Sequence, residues 1–211
     1  MKKNISLKNS LIMILLAIAF SGCFEEDCLD IEELDRRTEE IKLWYAPDSI
    51  IYKTLVDPYG MSQTLTMSAW NTHHWDDIVE DDCGNTYGST YFSVQYNTSL
   101  SPLHFMVDIQ GSGNDADGFY LKLRVTNTNS HNHKSSTYDF VTKKCREKNA
   151  RVDILKQTDI GGTIYDTILK IEFDKTFSAN DVKSVYYAKG TGIVKYQLEN
   201  GNGFWVEEEG V

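Results

Sequence analysis

The chain has 211 residues, with 21 basic and 31 acidic side chains and a formal net charge of −10 at pH 7. This acidic balance argues against nucleic-acid binding, which depends on a basic surface. It also disfavours adhesion of the protein body to anionic lipid, because that attraction needs clusters of Lys and Arg.

A basic and then apolar segment opens the chain. Lys2, Lys3 and Lys8 precede an unbroken apolar run, Leu11–Phe20, and the small residues Ser21 and Gly22 then lead to Cys23. The run is too short for a spanning helix, which needs roughly 20 apolar residues, and its order of features is that of a secretory signal. The segment resembles a bacterial lipoprotein signal with its lipobox, although Phe20 stands where Leu is usual.

The resemblance implies cleavage before Cys23 and attachment of a diacylglyceryl group to its thiol. Each buried methylene group contributes about 0.8 kcal/mol, so several acyl chains make an anchor stable. We therefore expect a signal peptide over residues 1–22 and a membrane partner reached through the lipid anchor at Cys23. An ordinary signal peptide with an incidental cysteine is the alternative.

Residues 23–40 are dense in charge and too sparse in apolar side chains to build a core face, so they are predicted to form an acidic tether. Within them, Phe24-Glu25-Glu26-Asp27 resembles the surface-export signal of lipoproteins in the Bacteroidota. The resemblance implies a bacterial outer-membrane protein exposed at the cell surface. The alternative is that the segment is only a solvated acidic linker, in which case the protein could instead face the periplasm. Without the three leader lysines, 18 basic residues face 31 acidic ones, a net charge of about −13.

Residues 41–211 are predicted to form a single β-rich domain, since the 189 residues after the leader (211 − 22) suit one domain. Apolar and polar residues alternate with period two in successive segments, which is typical of half-buried antiparallel strands. The main segments are Ile50–Val56, Thr64–Ala69, Tyr91–Tyr96, Phe105–Gln110, Phe119–Val125, Val152–Lys156 and Ile164–Phe173. The pair Asn200-Gly201 suits a type I′ hairpin between two C-terminal strands, because both residues tolerate positive φ.

The predicted fold class is all-β and mainly antiparallel, a barrel-like or sandwich meander of roughly eight to ten strands. One short helix is predicted over Ser135–Asn149, where Tyr138, Val141 and Cys145 recur at spacings of three and four and a Ser pair can cap the first turn.

The C-terminal block from Ser184 to Tyr196 contains Tyr187-Ala188-Lys189-Gly190-Thr191-Gly192 and is followed by the Asn200-Gly201 turn and Trp205. It resembles the ending of small secreted β-rich lipoproteins of the Bacteroidota, a group without an established activity. The resemblance implies the same fold and cellular address. Gly190 and Gly192 themselves indicate a bulge or sharp bend between two strands, and not a phosphate-binding loop, which requires a following helix.

Three thiols remain once Cys23 is acylated: Cys28, Cys83 and Cys145. In an oxidising compartment, one disulfide and one leftover thiol is the simplest arrangement. We favour Cys83 with Cys145, because both lie inside the patterned region, although spacing alone leaves the pairing open. No pair has the short spacing of a structural zinc site, and no cofactor is predicted.

The best candidate metal constellation is His73, His74, Asp76 and Asp77, with Glu80-Asp81-Asp82 nearby and His131 and His133 later in the chain. Imidazoles and carboxylates are metal ligands, but both groups lie in polar stretches beside turn residues, and no complete ligand motif is present. A secreted hydrolase or metal-dependent enzyme is therefore the alternative hypothesis.

The leading hypothesis is a non-enzymatic, membrane-tethered binding or accessory module, because no nucleophile elbow or protease signature is found. Its partner would be a glycan, a lipid or an envelope protein, bound in a cleft of the sheet or on an aromatic face. The candidate aromatic residues are Trp70, Trp75, Tyr87, Tyr91 and Tyr96, although such residues at strand spacing also pack sheets. A purely structural envelope role is the third hypothesis.

Overall fold

The computed structural model describes residues 39–46, 52–71, 77–80, 86–100, 102–111, 119–129, 132–176 and 178–206. For residues 68–71, 77–80 and 86–90 it describes the backbone alone. All these residues belong to one compact unit, Ile31–Val211. The signal peptide and nearly all of the predicted tether lie outside the described residues, so the predictions made for them stay predictions.

The described residues form thirteen β-strands and one helical turn at 39–42. The strands are β1 (Tyr52–Val56), β2 (Ser62–Asn71), β3 (Asp77–Glu80), β4 (Thr86–Thr98), β5 (Leu103–Gly111), β6 (Phe119–Asn127), β7 (Asn132–Asp139), β8 (Lys144–Cys145), β9 (Ala150–Ile160), β10 (Thr163–Phe173), β11 (Val182–Ala188), β12 (Gly192–Leu198) and β13 (Gly203–Val206). No helix in this part of the chain is long and apolar enough to cross a bilayer.

The strands form one antiparallel sheet in the order β8-β7-β6-β5-β4-β2-β1-β13-β12-β11-β10-β9, and β3 pairs with β4 outside this path. Because β1 pairs with β13 and the two ends of the path, β8 and β9, follow each other in the chain, the sheet is a nearly closed, barrel-like meander. The predicted class is confirmed, and the strand count exceeds the predicted range. The strands that were not predicted are β3 and β8, which are short, and β7, part of which was predicted to be helical.

The predicted helix over Ser135–Asn149 is wrong, because this segment is the second half of β7, a turn and β8. All eight residues of β7 pair with β6. Four consecutive residues, Ser136 to Asp139, are buried, whereas an amphipathic helix would expose at least one of any four consecutive residues. The Asp139 carboxylate accepts hydrogen bonds from the backbone N–H groups of Val141 and Thr142, each at 2.9 Å. This Asp turn ends β7 where the spacing of apolar residues suggested a helix.

The predicted type I′ turn at Asn200-Gly201 is also wrong in detail, although the hairpin between β12 and β13 is present. Of the two residues only Gly201 has a positive φ, at +88°. Its N–H bonds the Leu198 carbonyl at 3.1 Å, and the Leu198 N–H bonds the Asn202 carbonyl at 2.8 Å. This is the three-residue loop in which a glycine bulge follows a type I turn.

Side chains fill the interior of the sheet. The largest fully buried residues include seven aromatic ones: Phe92, Tyr96, Phe105, Phe119, Phe173, Tyr187 and Tyr196. Aromatic residues bury 150–250 Å² each in general, so this set supplies much of the apolar burial that holds the two halves of the meander together.

The segment 39–46 closes one end of the sheet, which we call the closed end. Ile41 and Trp44 are 1% and 4% exposed, and the Tyr187 hydroxyl donates a 2.9 Å hydrogen bond to the Trp44 carbonyl. The Tyr45 ring stacks on Phe92 at 4.8 Å. The connections β9–β10, β11–β12 and β7–β8 lie at this end, because successive strands alternate in direction. The connections β1–β2, β4–β5, β10–β11 and β12–β13 lie at the other, which we call the open end.

Candidate ligand-binding site

A pocket of about 440 Å³ lies at the open end of the sheet. Its apolar lining residues are Met61, Leu100, Pro102, Leu103, Leu198 and Phe204. Its polar lining residues are Gln63, Asn127, Asn129, Ser178, Asn180 and Tyr196. The volume falls within the usual range of small-molecule sites, about 300–1,000 Å³. None of the described lining residues carries a charge.

Gln63 is the polar side chain at the base of this pocket. It precedes Leu65 and Met67 on the inward face of β2 and is 4% exposed. Its Nε2 donates to the Tyr196 hydroxyl, whereas its Oε1 is buried and has no hydrogen-bond partner among the described atoms. An unpaired buried acceptor costs about 1–3 kcal/mol. A ligand donor at this oxygen would remove that cost.

Tyr196 is held rigidly beside Gln63. Its ring contacts Phe105 with centroids 5.4 Å apart and stacks on Phe204 at 5.3 Å. Aromatic pairs of this kind contribute about 0.5–1.5 kcal/mol beyond the area that they bury. The pocket base is therefore an ordered surface, with Phe204 and Tyr196 presenting apolar area and Gln63 a polar group.

The rim of the pocket exposes apolar side chains. Met61 and Leu100 are 55% and 66% exposed, although both line the pocket. Asp57 fixes the turn that carries Met61, because its Oδ1 accepts hydrogen bonds from the backbone N–H groups of Tyr59 at 2.9 Å and Met61 at 2.8 Å. The two apolar side chains thus extend the apolar surface of the pocket outward.

Lys53 is a buried cation on the inward face of β1, nearer the closed end. Its Nζ donates to the carbonyl oxygens of Thr191 at 2.5 Å and Ile193 at 3.3 Å, and none of the ion pairs among the described residues includes it. Burial lowers the pKa of Lys53 from 10.5 to about 8. This lysine lies away from the pocket and cross-links β1 to the β11–β12 connection.

Of the cysteines with a predicted role, only Cys145 lies among the residues that the structure describes. Cys23 and Cys83 lie outside the described residues. Cys145 forms no disulfide with any of the described residues. Its sulfur is 3.3 Å from the Ser136 hydroxyl, and burial raises the pKa of this thiol. The pairing of Cys83 with Cys145 and the lipidation of Cys23 therefore stay predictions.

The predicted metal ligands are not gathered in the part of the chain that the structure describes, where no cluster of three such residues occurs. Asp77 pairs with Ser89 near the start of β4. His133 of β7 pairs with Thr126 of β6, which pairs with His104 of β5. His104 in turn pairs with Asn97 near the end of β4, so His133 lies in the same row across the sheet as Asn97. Eight residues of strand separate the two positions by about 26 Å. His73, His74, Asp76 and His131 lie outside the described residues.

The predicted aromatic platform is wrong for Tyr96, which is 1% exposed and part of the core. Tyr91 lies on the opposite face of β4, where its hydroxyl donates to Asp108 Oδ1 at 3.1 Å. Burial raises the pKa of Tyr91. Alternation along β4 places these two tyrosines on different faces of the sheet, so they cannot form one surface. The side chains of Trp70, Trp75 and Tyr87 are not among those that the structure describes.

The residues of the pocket were not predicted from the sequence. One signal was available: Gln63 is in phase with Leu65 and Met67, as Lys53 is in phase with Leu55, so each is a polar residue at an inward position. Such a residue must be paired inside the sheet or must face a ligand.

The fold and the pocket together define a nearly closed antiparallel sheet with a small-molecule-sized site at one end. No known protein family, curated protein or solved structure shows detectable similarity to this chain.

Proposed function

We propose that the protein is a non-enzymatic binding or accessory module of the bacterial outer membrane, lipid-anchored at Cys23, whose ligand enters the pocket at the open end. The observation that carries the proposal is the pocket itself, which has apolar walls and is lined by Gln63, whose buried amide oxygen has no hydrogen-bond partner among the described atoms. Concave, mainly apolar sites with few polar groups are the usual form of small-molecule sites.

The position of the segment 39–46 supports this arrangement. Trp44 and Ala46 are buried at the closed end, so the chain enters the sheet at the end opposite the pocket. Residues 39–46 therefore leave the mouth of the pocket uncovered.

The lipid anchor is tested by Cys23→Ser in the native host, with Cys28→Ser as the matched control because it changes the neighbouring cysteine of the tether. We expect Cys23→Ser to abolish incorporation of radiolabelled palmitate and to remove the protein from the outer-membrane fraction, since the acyl chains supply the anchoring energy. Cys28→Ser should change neither. Undiminished incorporation of palmitate in Cys23→Ser would show that Cys23 is not the site of lipid attachment.

The pocket is tested by titrating the full chain with N-phenyl-1-naphthylamine, a neutral probe that fluoresces in apolar sites. We expect saturable binding, and the double substitution Met61→Asn with Leu100→Asn should raise the Kd by about tenfold, because two contacts of about 0.7 kcal/mol each are lost. The measurement is the fluorescence titration.

The matched control is Ile154→Asn with Ile164→Asn, which changes two exposed apolar residues of β9 and β10 that do not line the pocket. This control should bind like the unsubstituted chain. Equal loss of binding in both double variants would show that the probe adheres to apolar surface generally and would remove the pocket as the site.

A further inference from the structure

We propose that the pocket at the open end selects an uncharged ligand with a mainly apolar body and a hydroxyl group that bonds the Gln63 amide, as in an aliphatic alcohol. This inference rests on the proposed binding function and names the ligand class of that same site. It follows from three features: the charge of the lining, the state of the Gln63 amide and the shape of the apolar surface.

The lining favours an uncharged ligand. No described side chain that lines the pocket carries a charge, and the nearby pair of Lys134 and Asp181 is engaged elsewhere. Asp181 accepts hydrogen bonds from the Ser178 N–H at 3.1 Å and hydroxyl at 3.0 Å, while Lys134 donates to the Val182 carbonyl at 3.0 Å. An ionised group in this pocket would lose its hydration without gaining a counter-charge, which is costly.

The Gln63 amide favours a hydroxyl. One heteroatom of the amide is bonded to the Tyr196 hydroxyl, and the other is buried without a partner among the described atoms. Rotating an amide by 180° exchanges its oxygen and nitrogen without changing its shape, so the unpaired atom is an acceptor in one orientation and a donor in the other. A hydroxyl both donates and accepts, and therefore satisfies the amide in either orientation.

The apolar surface favours an elongated body. Leu103 and Phe204 are buried at 2% and 9% exposure, whereas Leu100 and Met61 on the rim are more than half exposed. A ligand whose hydroxyl reaches Gln63 at the base would run its apolar part along this surface towards the rim. Burial of that part contributes about 0.8 kcal/mol per methylene group.

The test compares 1-octanol with octanoate, which has the same chain length and a negative charge at pH 7. Both are titrated into the ¹⁵N-labelled full chain carrying Cys23→Ser, and binding is followed by NMR through the side-chain amide resonance of Gln63. We expect saturable shifts with 1-octanol and a Kd about tenfold or more higher for octanoate, since its carboxylate meets no counter-charge.

Gln63→Leu tests the hydrogen bond, with Gln110→Leu as the matched control. Gln110 is also bonded to a tyrosine hydroxyl, that of Tyr120 at 2.7 Å, but it lies on the outer face of β5, away from the pocket. Gln63→Leu and Gln63→Met should each raise the Kd for 1-octanol by about tenfold, the equivalent of one hydrogen bond, as followed through the backbone amide of Leu103. Gln110→Leu should leave it unchanged, and thermal melts confirm that each variant is folded.

The outcomes separate the two proposals. If neither compound shifts a lining residue, the pocket is not a binding site and the proposed function fails together with this inference. If both compounds bind equally well, or if neither Gln63 variant weakens 1-octanol, the pocket binds apolar ligands without this selectivity and a water molecule satisfies the amide. In that case the inference alone is overturned.

Discussion

Gly192→Ala is expected to lower the free energy of unfolding by about 4 kcal/mol, the combined cost of a strained backbone and an overpacked core. Gly192 opens β12 with φ at +89°, a conformation that residues with a Cβ rarely adopt. A Cβ there would collide with the Tyr96 hydroxyl and lie 3.2 Å from the Ala46 Cβ. Urea denaturation measures the loss as a lower midpoint with an unchanged slope.

Two further variants divide this cost into its parts. Gly201 has nearly the same φ, +88°, but no described atom lies within 4 Å of the position that a Cβ would occupy there, so Gly201→Ala should cost only about 1–2 kcal/mol for the backbone. Adding Tyr96→Phe to Gly192→Ala removes the colliding hydroxyl and should restore part of the difference. If Gly192→Ala costs no more than Gly201→Ala, the closed end is not packed as described.

Lys53→Met is expected to stabilise the protein at pH 7 by about 1–2 kcal/mol. Burial lowers the pKa of Lys53 from 10.5 to about 8, and lowering a pKa by one corresponds to about 1.4 kcal/mol. The loss of its hydrogen bonds to two carbonyl groups is subtracted from this gain, because each of the two contributes about 1 kcal/mol. Met occupies a similar volume without a charge to desolvate. A gain in the free energy of unfolding measured by urea denaturation at pH 7 would show that the buried ammonium is a net cost.

The same group predicts how stability changes with pH. Between pH 8 and 10.5 the unfolded chain keeps the proton that the folded chain has lost, because the pKa of Lys53 is lower in the folded state. This lysine therefore makes stability rise with pH through that window. Below pH 8 Lys53 is protonated in both the folded and the unfolded state, so the full cost of burying its charge lowers the stability of the folded state. The advantage of Lys53→Met over the unsubstituted protein should shrink as the pH is raised from 8 towards 10.5.

An exposed lysine supplies the control for this prediction. Lys156→Met changes the same residue type on β9, at an exposed position, and serves as the reference for removing a lysine from the surface. If the free energies of unfolding of Lys53→Met and Lys156→Met change with pH in the same way throughout this window, the argument from burial of Lys53 is wrong.

Much of the strand content was predictable because alternation is a local property. Phe92, Val94 and Tyr96 share the inward face of β4 as their spacing requires, and Phe119, Leu121 and Leu123 do so on β6. The stretch after Ser135 was misread because apolar residues at spacings of three and four also occur by coincidence in a strand followed by a turn. Pairing of β7 with β6, a tertiary contact, overrides that local pattern.

The pocket was not predictable in the same way. Its residues come from the β1–β2, β4–β5, β6–β7, β10–β11 and β12–β13 regions, and each region contributes only two or three of them. The one sequence signal was the polar residue Gln63, which is in phase with apolar neighbours and so indicated that the inward face of β2 is not entirely hydrophobic core. Its neighbour Tyr196 is 133 residues away along the chain.

The class of fold, an antiparallel sheet with one apolar face, follows from the order of the amino acids alone, because the period of two is a property of neighbouring residues. Three other features arise only once the chain has folded: β1 pairs with β13 and brings the sheet near closure, the segment 39–46 fills one end, and the other end holds a pocket. These features depend on register and on contacts between distant segments, which local periodicity does not encode.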